Sequence, residues 1–136
     1  MAITPSPPSD TNPAIAWLQI RIVYGAILAA SIMYVVVGEL LHQNGPVSPS
    51  LLYAFLMPAL VFAVVALLQR AAFQANYERE QVTASARKPL IVGVAGCEAI
   101  VLLGFVYRFM GGAPKFAYGF YAVGFFLFLL LYPGAR

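Results

Sequence analysis

The chain has 136 residues, of which 62% are hydrophobic and only 10% charged, with a formal net charge of +3. A soluble domain carries about 25% charged and about 45–50% apolar residues, and a water-soluble globule this small could not hide so much apolar surface. One cysteine excludes a disulfide scaffold, and the wealth of aliphatic and aromatic residues excludes disorder over most of the length. What is left is an integral membrane protein with almost no extramembrane mass.

The first twelve residues, MAITPSPPSDTN, form a proline-rich tail with an extended preference. They hold no Lys or Arg, and the apolar run that follows is too long for a signal-peptide core, so a cleaved signal is not expected. From residue 13 onward the pattern predicts one four-helix membrane domain reaching residue 136. Asn12-Pro13 makes a good helix start, an amide cap followed by proline at the first helical position. Ala14 to Gln19 then leads into the membrane, with Trp17 at the interface.

A hydrocarbon core of roughly 30 Å needs about 20 apolar residues per helix, and four runs approach that length. They cover residues 20–41, 51–68, 89–110 and 116–132. Asn44-Gly45-Pro46 ends the first, and Ser48-Pro49-Ser50 starts the second. Gly111-Gly112-Ala113-Pro114 joins the last two through a tight turn. The fold class is therefore all-α: a four-transmembrane-helix bundle made of two antiparallel hairpins.

Charge sets the expected orientation. Arg70, Arg79, Arg87 and Lys88 flank the middle connection, and Arg21 and Arg136 fall on the same side of a four-span layout. Arg108 and Lys115 fall on the other side. This bias places both termini in the cytoplasm, as a multi-pass protein of the cell's inner (plasma) membrane. The basic pI of about 9.2 needs no nucleic-acid partner, because these charges are topology markers. Membrane lipids and larger membrane-protein subunits are the expected partners, with the basic loop able to touch anionic lipid.

Glu98 is the most informative residue. It lies near the middle of the third run, where a charge costs at least ~2.5–3.5 kcal/mol and usually faces protein or water. A structural, neutral acid bonded to a neighbouring helix is the first expectation, with Ser31, Tyr34 or Tyr121 at compatible depth. An ion-carrying carboxylate and contact with a bound cofactor or lipid are the rivals. Glu39, near the outer end of the first run, matches Arg108 in depth, which predicts an outer-leaflet ion pair.

His42, the sole histidine, follows the first run. A lone His can ligate haem or chlorophyll, but a solvated helix-end residue is the plainer reading. Cys97 has no second cysteine for a zinc site and no nearby His for nucleophilic chemistry, so no metal site is expected. With Gly93 it instead forms a small-xxx-small pair suited to close helix approach, and Gly25 with Ala29 offers a similar face. The ring-rich fourth run could contact quinone, carotenoid or chlorophyll peripherally, though the chain shows no cofactor site of its own. Walker, GxGxxG, HExxH and CxxC patterns are all missing, so the chain is not expected to be an enzyme.

Ala86-Arg87-Lys88-Pro89, then Cys97-Glu98-Ala99-Ile100 and Leu103-Gly104-Phe105-Val106, resembles the carboxylate helix of rotor c subunits of ion-driven ATPases. There a basic-proline segment precedes a membrane-embedded Glu. The spacing from Pro89 to Glu98 is shorter than that family's, and the first helix lacks the glycine repeat a tight ring requires. The whole layout is closer to small four-helix bacterial membrane proteins, on Arg21-Ile22-Val23-Tyr24, Glu98-Ala99, Phe109-Met110-Gly111-Gly112 and a Phe120-Tyr121 final run. The resemblance implies no defined activity. The functional expectation is a non-catalytic accessory subunit of a larger bioenergetic complex, respiratory or photosynthetic, with c-like ion translocation through Glu98 as the alternative.

Overall fold

The structure is a computed structural model that describes residues 13–43, 45–78 and 84–132. The proline-rich tail, Asn12, Asn44 and the centre of the basic connection lie outside the described residues. Four helices follow one another: α1 (Pro13–Leu41), α2 (Pro49–Glu78), α3 (Ala84–Phe109) and α4 (Pro114–Leu130). Three of them open on proline, whose fixed φ suits a first helical position and whose missing N–H costs nothing there.

Segments Trp17–Leu41, Pro49–Ala75 and Lys88–Phe109 are long and apolar enough to cross a membrane, while α4 is a shorter apolar helix of 17 residues. Helix α2 runs ten residues beyond the apolar stretch that ends at Leu68, because Gln69 to Glu78 are mostly strong helix formers. Hydropathy stops where charge begins; helix propensity does not. Pro58 lies inside α2 without ending it.

The arrangement differs from two side-by-side hairpins. Helix α3 is the axis, packed on α2, α4 and α1, whereas α1 and α2 form no packed pair. Small residues on α3 explain this. A Cβ on Gly96 would lie 3.3 Å from the Phe62 carbonyl oxygen of α2, and one on Gly93 would lie 3.3 Å from Gln69 Cβ and 3.2 Å from Leu131 Cδ1. One on Gly104 would lie 2.7 Å from Phe120 Cβ of α4. Each glycine lets a neighbouring helix approach closely, which in a lipid environment is a principal source of helix association. Among the described residues, no glycine makes such a contact between α1 and α2.

Register follows from the same contacts. Tyr24 meets Phe128 and Tyr132, while Gly38 meets Phe105 and Tyr121, so α1 runs antiparallel to α4 and parallel to α3.

The α3–α4 turn is specified by its glycines. The Gly112 N–H donates to Tyr107 O at 2.9 Å and the Gly111 N–H to Arg108 O at 3.1 Å, with Gly111 at φ +94°. This 6→1 and 5→2 pair is the Schellman arrangement, which needs a left-handed residue after the helix. The Tyr107 ring lies so close to Gly112 that no Cβ fits there.

Candidate functional site

Polar side chains gather on one seam, where α1, α3 and α4 meet. At its end near the α3–α4 turn, Glu39 Oε1 lies 3.5 Å from Arg108 Nε. That distance supports Coulombic attraction but exceeds a good charge-assisted hydrogen bond. Arg108 is almost wholly covered, whereas the Glu39 side chain keeps a third of its surface. Two further bonds complete the cluster. Arg108 Nη1 donates to the Gly112 carbonyl at 3.3 Å, and the Tyr118 hydroxyl donates to Glu39 Oε2 at 3.2 Å. One buried cation is therefore held by a carboxylate from α1 and a carbonyl presented by the glycine turn.

Deeper along the seam, the Tyr34 hydroxyl of α1 donates to Glu98 Oε1 of α3 at 3.4 Å, the weak end of hydrogen-bond range. Of the three candidate partners, Tyr34 is the one that reaches. The Ser31 hydroxyl instead donates to its own helix, at Ile27 O and 3.0 Å. Tyr121 is buried between the two clusters, against Gly38 and Gly104, and its hydroxyl has no hydrogen-bond partner. Glu98 itself is only partly buried among the described residues.

Other expected residues lie elsewhere. His42 is exposed, and its Nδ1–H donates to the Glu39 carbonyl at 2.7 Å, closing the end of α1. No cluster of metal-ligating side chains exists among the described residues. Gly93 and Cys97 sit in the packed face of α3, with Cys97 wholly buried. Gly25 and Ala29 correct the expectation of a similar packing face: both are exposed, and a Cβ on Gly25 would meet nothing within 4 Å. That face of α1 points away from α3 and α4.

Three participants escaped sequence reasoning. The Gly112 carbonyl and Tyr118 join the arginine cluster, and Arg108 followed by Gly111-Gly112 was a usable signal for the first of these. The third is Tyr24, whose hydroxyl donates to the Phe128 carbonyl at 2.6 Å. That carbonyl lies in the last turn of α4, where the Tyr132 N–H is bonded to Leu129 O instead. A tyrosine from α1 thus satisfies an orphan helix-end acceptor of α4. No local pattern announces a bond across 104 residues.

Chemically, the seam can hold helices in register and bury a charge pair. No protein family, curated protein or solved structure matches this chain.

Proposed function

We propose that this chain is a non-catalytic accessory transmembrane subunit of a larger bioenergetic membrane complex, multi-pass in a bacterial plasma membrane. One observation carries the reading. Glu98, halfway along a membrane-length helix, has one long bond among the described residues and is only partly buried. A carboxyl at that depth is costly against lipid and is normally faced by protein. A helix from a partner subunit completes its surroundings. The open face around Gly25 and Ala29 on α1 adds a second surface where a partner backbone can come close. The peripheral cofactor contacts of such a subunit, with quinone or pigment, are made through its aromatic faces rather than through a ligand such as His42.

In this reading α4 is a fourth crossing. Its 17 residues rise ~25 Å, the short end of a membrane span. Both termini then lie in the cytoplasm. Labelling of single cysteines placed at exposed Gln43 and Lys115, in a Cys97→Ser background, should occur from outside, and at Ser85 from inside. A C-terminal tag accessible only from outside would refute the four-span layout.

Purification in mild detergent tests the assembly itself. The expected result is a discrete heteromeric complex with a low copy number of this chain and slow reaction of Glu98 with a hydrophobic carbodiimide. The c-like alternative draws on the same mid-helix acid and predicts a homo-oligomeric ring with rapid labelling. Against it, Gly93, Gly96 and Gly104 already serve packing inside one chain and leave no free glycine face on α3 for a ring.

A further inference from the structure

A cleft of about 360 Å³ lies between α2 and α4, with Ile100 of α3 at its floor. Its walls are Leu52, Ala59 and Ala63 on one side and Gly119 and Val123 on the other. Ala59, Ala63 and Gly119 leave room in it between larger Leu and Phe side chains. A Cβ on Gly119 would meet nothing within 4 Å, so the missing side chain leaves space rather than close contact, unlike at Gly104. From Leu52 to Ala63 the cleft runs ~16 Å along α2, about half a hydrocarbon core and so one leaflet deep. The space present suits one extended acyl chain, whereas a helix could lie only partly in it.

Its mouth carries the second feature. Lys115 is the one charged residue lining the cleft, at the first turn of α4, with Nζ 4.9 Å from the Phe116 ring centroid. Among the described residues the ion pair present is Glu39–Arg108, and no carboxylate meets Lys115. An apolar slot one leaflet deep, ending in a cation without a protein counter-ion, has the shape and charge of an anionic phospholipid. We propose that this cleft binds one acyl chain of an anionic phospholipid, with the lipid phosphate at Lys115. The proposal does not depend on which complex the chain joins.

Photo-crosslinking of the full-length protein in phospholipid vesicles tests this. Diazirine-acyl phosphatidylglycerol and diazirine-acyl phosphatidylcholine are compared as probes. The expected result is phosphatidylglycerol adducts concentrated in residues 52–63 and 116–123, above the phosphatidylcholine yield. Lys115→Gln should lower the phosphatidylglycerol yield about fivefold, the effect of one cation near the surface, and lower the phosphatidylcholine yield far less, because the choline there already neutralises the phosphate. Gly119→Leu, which fills open space, should reduce adducts of both probes at these positions. Helicity and melting of both variants are checked in parallel, so Lys115→Gln remains decisive if Gly119→Leu misfolds. Adducts spread evenly over the apolar faces, equal yields for the two headgroups, or a partner polypeptide crosslinked in the cleft would each overturn the proposal.

Discussion

Helices α2 and α3 are both apolar enough to cross a membrane, yet they are used differently. Half of the most apolar stretch of α3 is buried inside the chain, against 11% of that of α2. Helix α1, at 17%, resembles α2. Apolarity therefore does not decide which helix becomes the axis. In lipid, an exposed leucine is as well solvated as a buried one, so shape and polar partners decide instead. Helix α3 has the glycines that admit neighbours and the Glu98 and Arg108 that need them. Helix α2 offers mostly bulky aliphatic side chains.

That contrast breaks most directly at Gly104. Gly104→Val would push a branched side chain into Phe120 and Tyr121, whose rings are held by their own packing, and should cost about 1–3 kcal/mol or more. The loss is read as a lower midpoint in SDS titration of the detergent-solubilised chain. An unchanged midpoint would mean that α3 and α4 are not this close.

Glu39→Gln ranks next. It removes the counter-charge of the covered Arg108 and leaves it only neutral oxygen acceptors, and the removal of one partner of a buried pair can cost about 3–5 kcal/mol. Because Glu39 keeps a third of its surface, we expect roughly 1–2 kcal/mol. Arg108→Met with Glu39→Gln should recover part of the loss, which a double-mutant cycle measures.

Gly111→Ala should cost about 1–2 kcal/mol, since φ +94° is strained for any side chain. The Gly45 backbone N lies 3.1 Å from where that Cβ would be and leaves no room to relax.

Much of this molecule was legible in its sequence, and the limits are physical. Apolar run length gave four helices because lipid demands it, and the glycine pair after Arg108 marked the turn. Equal depth on two runs was enough to match Glu39 with Arg108. Which helix forms the centre was not legible, because hydropathy is nearly flat across the runs and contact depends on where each glycine points. Gly25 and Gly93 read alike as small residues on apolar helices, and only packing separates them. The Tyr24–Phe128 bond was invisible for a related reason: its acceptor is a backbone atom, which no side-chain pattern encodes.

Two smaller effects sharpen the comparison. Tyr34→Phe should weaken the chain by about 0.5–1 kcal/mol, the usual worth of an interhelical bond in a membrane. Glu98→Gln should be nearly neutral because it keeps an acceptor for Tyr34, while Glu98→Leu should match Tyr34→Phe. Equal damage from Gln and Leu in the assembled complex would point to an ionised Glu98 facing a partner cation. Gly25→Ala is the mirror of Gly104→Val. With open space for its methyl, it should be neutral or stabilise by about 0.5–1 kcal/mol through a stiffer unfolded chain. A destabilisation seen only in the assembled complex would locate a partner helix there.

Cys97 gives this contrast a time axis. Its thiol is wholly buried, and its own carbonyl oxygen lies 3.3 Å from where a Gly124 side chain would begin, so α4 lies directly over that stretch of α3. A small thiol reagent reaches the sulfur only while the helices packed on this stretch of α3 open. Its reaction rate at reagent concentrations too low to outpace reclosing is then proportional to the open population, as in proteolysis of transiently opened states. The single cysteine is a built-in clock for opening of the packing around α3, readable without any substitution and inside an intact membrane.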